Sequence, residues 1–97
     1  MRHFHRTHIA PERVLDLADE YFPAIGMTKD GGDARRRSYR GALGSLALVV
    51  RPEGGHYTFV EAETDQVGES RLDRNVKRFF VKVHRMADPS HTLAAAY

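Results

Sequence analysis

Cysteine is absent from this 97-residue chain, and long apolar runs are absent with it. Without cysteine there are no disulfide bonds and no thiolate metal sites. No apolar run approaches the roughly 20 residues that a membrane-spanning helix needs, and the N-terminus lacks an apolar signal segment. We therefore expect a soluble cytoplasmic protein that does not associate with membranes.

An excess of charge of one sign is also missing. The net charge is +2, from 15 Lys and Arg against 13 Asp and Glu, which is too even to indicate a polyanionic partner by itself. Hydrophobic residues at 41% and charged residues at 29% are ordinary values for a globular protein. We expect a single domain over residues 1–90, followed by a loosely held tail over residues 91–97.

Catalytic motifs are equally scarce. The chain has no Gly-x-Ser-x-Gly elbow, no phosphate-binding loop with its lysine, and no carboxylate pair at a convincing spacing. These absences favour a non-catalytic protein without a cofactor. An enzyme of cyclase or hydratase type stays as an alternative, with His5 or His84 as the general base, because imidazole titrates near neutral pH.

The N-terminal quarter predicts a strand and a helix. Residues 2–9 alternate imperfectly between two faces, as a strand does. Pro11 suits the first turn of a helix, where its missing N–H would have no intrahelical partner. The apolar positions Val14, Leu17, Ala18 and Tyr21 then recur at helical spacing, and Pro23 is expected to end the helix.

The middle of the chain predicts strands separated by turns. A basic segment over 35–40, an apolar segment over 45–50 and an aromatic and β-branched segment over 56–64 are divided by glycine-containing turns, which favours an antiparallel meander. A short strand near Met27 is also possible in this pattern. The stretch Lys-Asp-Gly-Gly-Asp over 29–33 predicts a turn.

The clearest element is a long amphipathic helix between Val67 and Met86, with Ser70 among the polar capping residues at its entry. The expected order is β-α-β-β-β-α. The fold class is therefore α+β: an antiparallel meander with the N-terminal helix and the long C-terminal helix on one face. The apolar positions of the last helix are Leu72, Val76, Phe79, Phe80, Val83 and Met86.

The chain resembles the START/Bet v 1-like (SRPBCC) helix-grip superfamily, which includes polyketide cyclase-like proteins. The resemblance rests on residues 9–14 (Ile-Ala-Pro-Glu with Val14), on Glu53-Gly54-Gly55 before the strand over 57–64, and on Phe79-Phe80 in the last helix. Members of that superfamily are longer and enclose a ligand cavity. The resemblance implies either a cavity filled by side chains or one completed by another chain.

A small apolar ligand between sheet and last helix is the function that the resemblance implies. The residues expected to line such a pocket are Tyr39, Leu48, Tyr57, Phe59, Phe79 and Val83.

Three histidines lie close together at the N-terminus. His3 and His5 would share one face of a strand, and such a pair can contribute metal ligands. A metal site also needs a third ligand, and Ile9 and Ala10 stand where a nearby glutamate would be useful. We therefore expect an edge strand and no metal site.

The last helix predicts a second kind of surface. Its cations fall at spacings of three and four, opposite the apolar positions, and could bind an acidic protein or RNA. This interaction module is the alternative to ligand binding. The residues are Arg71, Arg74, Arg78, Lys82 and Arg85.

Two of the predicted strands indicate which partners to expect. The four arginines of residues 35–40 are expected to pair with Glu61 and Glu63 on a neighbouring strand, so nucleic acid is not the expected partner. In residues 45–50 both faces are apolar, although only one can face the helices. A homodimer with its sheets packed face to face, or with edge strands joined, would cover the second face.

Overall fold

The computed structural model describes residues 1–88, and the tail expected over 91–97 lies outside them. The α+β fold class is confirmed, with two helices, a five-stranded antiparallel sheet and the order β-α-β-β-β-β-α. Within residues 1–88, neither helix is long and apolar enough to cross a membrane. The elements are β1 (Arg2–Thr7), α1 (Pro11–Ala24), β2 (Thr28–Gly32), β3 (Arg36–Gly41), β4 (Gly44–Glu53), β5 (Tyr57–Thr64) and α2 (Arg71–Ala87).

The strands lie in the order β1-β5-β4-β3-β2, and every neighbouring pair is antiparallel. β2 to β5 form the expected meander. β1 leaves that sequence and pairs with β5, from Arg2 opposite Glu63 to Thr7 opposite Thr58. The first strand of the chain therefore lies beside the last one, and β1 and β2 are the two edges of the sheet.

The prediction of a turn over 29–33 was wrong, because most of this stretch belongs to β2. The strand pairs with β3, and its register shifts between Lys29 and Gly31. Gly32 has a φ of +154°, and a Cβ there would lie 2.5 Å from the carbonyl oxygen of Arg36. The glycine therefore permits the close approach of β2 to β3, and the turn follows it.

Both helices pack on the same face of the sheet. Alternate residues of β4 point towards them, as a period of two requires. The ring centroids of Phe22 in α1 and Phe79 in α2 lie 5.2 Å apart, and Phe22 lies equally close to Tyr39 of β3. Each large apolar side chain buried here contributes about 1.5–3 kcal/mol. The buried apolar side chains of the sheet are Tyr39, Leu46, Leu48, Val50, Val60 and Ala62, with Met27 beside them.

The helix ends differ from the prediction by a few residues. α2 begins at Arg71 rather than near Val67, because Ser70 is its N-cap and accepts a hydrogen bond from the Asp73 amide at 3.0 Å. α1 continues through Pro23, which lies in its last turn, and the chain leaves the helix at Gly26 with a φ of +94°.

Candidate interaction surface

Four of the six residues expected to line a ligand pocket lie inside the core. Tyr39, Leu48, Phe79 and Val83 are fully buried between the sheet and the helices. Phe79 makes ring contacts with its neighbours on both helices. These four side chains are therefore parts of the packed interior.

The other two lie on the opposite side of the sheet. In β5, the buried residues Thr58 and Val60 point towards the helices, so Tyr57 and Phe59 point away from them. The structure thus does not bring the six residues around one volume. Binding of a small apolar ligand stays a prediction from the sequence.

The hydroxyl of Tyr39 belongs to a polar cluster that joins the sheet to α1. It donates to Asp19 Oδ1 at 2.7 Å, and Arg37 Nε donates to both oxygens of the same carboxylate at 3.0 Å. Burial alone would raise the pKa of Asp19, but the hydrogen bonds from Tyr39 and Arg37 hold it below its ordinary value. Burial and the nearby carboxylate raise the pKa of Tyr39, so its phenol stays protonated.

This cluster corrects the pairing expected for the basic strand. β4 lies between β3 and β5, so the arginines of β3 are not beside Glu61 and Glu63. Arg37 instead contacts Asp19, and Arg40 pairs with Asp30 at 3.0 Å. The expectation of paired charge was right in kind but named the wrong partners.

The side of the sheet that faces away from the helices is here called the outer sheet face. Its apolar side chains are partly covered by arginines: the guanidinium carbon of Arg51 lies 4.4 Å from the ring centroid of Phe59, and that of Arg6 lies 5.7 Å from it. Arg6 also pairs with Glu53 at 2.9 Å, and Arg2 pairs with Glu63 at 3.3 Å. Charges on this face are thus largely satisfied within the chain. The sheet-to-sheet homodimer stays a prediction.

The histidine face of β1 points towards the interior. His3 Nε2 lies 2.7 Å from Asp73 Oδ1, and the Thr64 hydroxyl donates to the same oxygen at 2.9 Å. Ser70 Oγ lies 2.5 Å from the other carboxylate oxygen. Asp73 is only 1% exposed, and although burial raises its pKa, the bonds from Ser70, His3 and Thr64 bring it below its ordinary value.

This cluster joins β1, β5 and the start of α2, and the sequence analysis did not single it out. The signal that could have found it is Ser-x-x-Asp at the entry of an apolar helix, a relative of the capping box. The contribution of His3 could not be found this way, because it is 70 residues away in sequence.

His5 lies beside the same helix, against its apolar side. Its ring stacks on Phe80 with centroids 5.2 Å apart, and His84 lies edge-on at 6.5 Å. Burial, and secondarily the charge of His84, lower the pKa of His5 from 6.5 to about 4. Within residues 1–88 no three His, Asp or Glu side chains converge as metal ligands would. A role for His5 or His84 in catalysis stays a prediction.

The five cations predicted on the last helix form one exposed face of α2, here called the basic face. All five are exposed, and within residues 1–88 none of them takes part in an ion pair. By contrast, the neighbouring Lys77 pairs with Glu69. The basic face consists of Arg71, Arg74, Arg78, Lys82 and Arg85.

α1 carries the opposite charge, which the sequence analysis did not recognise as a surface. Glu12, Asp16 and Glu20 are exposed at spacings of four residues, and no ion pair within residues 1–88 involves them. These three carboxylates are here called the acidic face. Their spacing alone could have found it, since residues four apart lie on one side of a helix.

An apolar groove of about 400 Å³ separates the two charged faces. Its floor is formed by the partly buried Leu17, Tyr21 and Ile25 and by the exposed Ala24, all on the α1 side. Lys82 of the basic face lies at the rim, with its ammonium 5.9 Å from the centroid of the Tyr21 ring. The helix layer thus presents acid, apolar groove and base side by side.

No protein-family model matches the chain, and no curated protein is significantly similar to it in sequence. The architecture itself, an antiparallel meander with the C-terminal helix packed on it, is compatible with a helix-grip fold.

Proposed function

We propose that this protein is an interaction module that binds an acidic protein surface through the basic face of α2. The observation that carries the proposal is the set of five exposed cations, none of which has an ion-pair partner within residues 1–88, next to an apolar groove. Cations that repel one another along a helix cost stability, by about 0.2–0.5 kcal/mol per pair of neighbours. An acidic partner would turn this unfavourable repulsion into a favourable electrostatic attraction.

The groove favours protein over RNA as the partner. RNA recognition uses exposed aromatic side chains for stacking, and the two phenylalanines of α2, Phe79 and Phe80, are buried. The partly buried Tyr21, Leu17 and Ile25 instead offer a place for aliphatic side chains. An acidic amphipathic segment would fill the groove with its apolar positions and place its carboxylates on the basic face.

The test is binding of a synthetic helical peptide with leucines at positions i, i+3 and i+7 and glutamates elsewhere. Binding is measured by the fluorescence anisotropy of the labelled protein, which is kept at low nanomolar concentration while the peptide is titrated. We expect binding that weakens as salt rises, and a loss of at least tenfold in the triple variant Arg74→Glu, Arg78→Glu, Lys82→Glu.

The matched control is the triple variant Arg35→Glu, Arg36→Glu, Arg40→Glu, which changes the net charge by the same amount near the outer sheet face. Its affinity should stay within about threefold of the wild type, because no charge on the helices has changed and the Arg40–Asp30 pair that it removes lies on the sheet. Equal losses in the two triple variants would show that net charge alone drives binding, and the proposal would then be wrong.

We also propose that the chain is a shortened relative of the helix-grip superfamily. The support is topological: a first strand leads into a helix, a meander follows, and a long final helix packs across the sheet. A crystal structure that superposes on a full-length helix-grip protein over both helices and the meander would test it. A different path of the final helix across the sheet would overturn it.

A further inference from the structure

The two helices run antiparallel at matched levels. Near the start of α1, Arg13 Nη2 contacts Met86 Sδ at 3.9 Å, close to the end of α2. Further along α1, Tyr21 donates from its hydroxyl to Asn75 Oδ1 at 2.9 Å, in the first half of α2. Residues of α1 and α2 that lie at the same height along the helix axes are here said to be at one level. Because the helices are antiparallel, the residue numbers of two such residues sum to about the same value.

We propose that the acidic surface recognised by the basic face is the acidic face of a second copy of this chain. This inference rests on the proposed function and names its partner. A two-fold axis that runs along the groove, parallel to the helices, places α1 of each copy over α2 of the other. Both contacts are then acid on base, as an isologous interface requires.

The antiparallel levels specify which charges meet. Rotation about an axis parallel to the helices preserves level. Glu12 therefore comes opposite the last turn of α2, which carries Arg85. Asp16 comes opposite Lys82, and Glu20 opposite Arg78. Spacings of four on α1 thus face spacings of three and four on α2. The fit requires no rearrangement of either helix.

Charge also selects this arrangement against the other symmetric one. A two-fold axis across the helices would place α1 on α1 and α2 on α2, so that like charges would face each other in both contacts. Like charges juxtaposed in an interface strongly disfavour association. Only the axis along the groove is attractive.

The groove supplies the apolar centre of the interface. In the proposed dimer the two grooves face each other across the axis, so that Tyr21 and Leu17 of each copy meet those of the other. Helices of 14 and 17 residues extend about 21 and 26 Å at 1.5 Å per residue. A face of that length and two helices wide is at the small end of specific interfaces, which bury roughly 800 Å² per partner. We therefore expect a reversible, concentration-dependent dimer.

The test uses two charge-reversed variants of the whole chain. The first carries Glu12→Lys, Asp16→Lys and Glu20→Lys, so that both helices are basic. The second carries Arg78→Glu, Lys82→Glu and Arg85→Glu, so that both are acidic. Sedimentation velocity at low salt measures their mass. We expect the wild type to dimerise and each variant alone to be monomeric.

Restoration by recombination is the decisive result. A one-to-one mixture of the two variants should form a heterodimer, because each helix then faces its opposite charge, and the chain with all six substitutions should dimerise again. Circular dichroism melting checks that each variant is folded. Since all six side chains are exposed, a variant that unfolds can be replaced by the corresponding glutamine triple, which should weaken association without repulsion.

Other outcomes separate this inference from the proposed function. A wild type that is monomeric up to 1 mM, or variants that dimerise as the wild type does, would overturn the inference. If the acidic peptide still binds to the monomer through the basic face, the proposed function survives. If the inference is right, the same peptide should dissociate the dimer, because both occupy one surface.

Discussion

The outer sheet face and the helix layer are both rich in charge, but they arrange it differently. On the sheet, opposite charges alternate and pair within the chain: Arg2 with Glu63, and Arg6 with Glu53. On the helices, the charges are segregated, with the acidic face on α1 and the basic face on α2. The paired charges of the sheet neutralise each other within the chain. The segregated charges of the helices leave an electrostatic field that a molecule of complementary charge can neutralise.

Asp73 of α2 is a buried charge that is satisfied within the chain, and its replacement should have the largest effect. Asp73→Ala removes the partner of His3, Thr64 and Ser70, which are then left around a buried cavity. We expect a loss of about 2–4 kcal/mol in the free energy of unfolding, measured by urea denaturation.

Glu69→Ala is the matched control for Asp73, because this exposed carboxylate also lies at the entry of α2 and pairs with Lys77. It should cost clearly less stability than Asp73→Ala, because the Glu69–Lys77 pair is exposed to solvent. Similar losses for the two substitutions would mean that the buried cluster contributes no more than a surface pair.

The pH dependence of stability tests the interior side of the same helix. The folded-state pKa of His5 is lowered from 6.5 to about 4. Above pH 6.5 the imidazole is largely neutral in both the folded and the unfolded chain, so it does not lower the stability of the folded state. As the pH falls from 6.5 to about 4, the unfolded chain takes up a proton that the folded chain refuses, so stability falls.

A displacement of that size corresponds to at most about 3 kcal/mol, which solvent screening reduces to about 1–2 kcal/mol. The measurement is urea denaturation at pH 7 and pH 4.5. His5→Phe keeps the stacking on Phe80 and should flatten this part of the profile. An unchanged slope in that variant would assign the pH dependence to other groups.

Single arginine substitutions on the outer sheet face and on the basic face should differ in their effect on stability, by less than the substitutions above. Arg51→Ala on the outer sheet face removes a cation–π contact with Phe59 and uncovers its ring, so we expect a loss of about 0.5–1 kcal/mol. Arg78→Ala on the basic face removes no ion pair that lies within residues 1–88, and it relieves repulsion from Arg74 and Lys82, so we expect no loss of stability. Thermal melts of dilute protein measure both. A larger loss at Arg78 than at Arg51 would reverse the comparison.

The last expected effect is a gain in stability rather than a loss. Arg78 has Arg74 and Lys82 as neighbours four residues away on either side, and like charges at this spacing repel. Arg78→Gln relieves two such pairs and should therefore stabilise the monomer by about 0.4–1 kcal/mol at low salt, and the gain should disappear in 0.5 M salt. A stability that is insensitive to salt in the wild type would show that the repulsion is negligible.

Patterns local in sequence predicted most of the fold. The apolar positions of α2, the alternation in β4 and the proline at the start of α1 each depend on neighbours within a few residues. Only a short strand near Met27 was predicted in place of β2, because the glycines of β2 look like a turn until β3 is placed beside them. The basic face could be predicted from spacing, whereas its lack of ion-pair partners in the part of the chain that the structure describes could not, because Arg37 and Asp19 show that partners come from distant segments.

The position of β1 sets the timing of folding during synthesis. Its partner strand is β5, and Arg2 and Glu63 are 61 residues apart. At about 5–20 residues per second, β1 waits several seconds before β5 has been made, while the meander can pair locally. An apolar strand waiting in this way would invite aggregation. Two arginines and two histidines among its six residues make β1 polar, so it can remain unpaired and solvated until β5 is available.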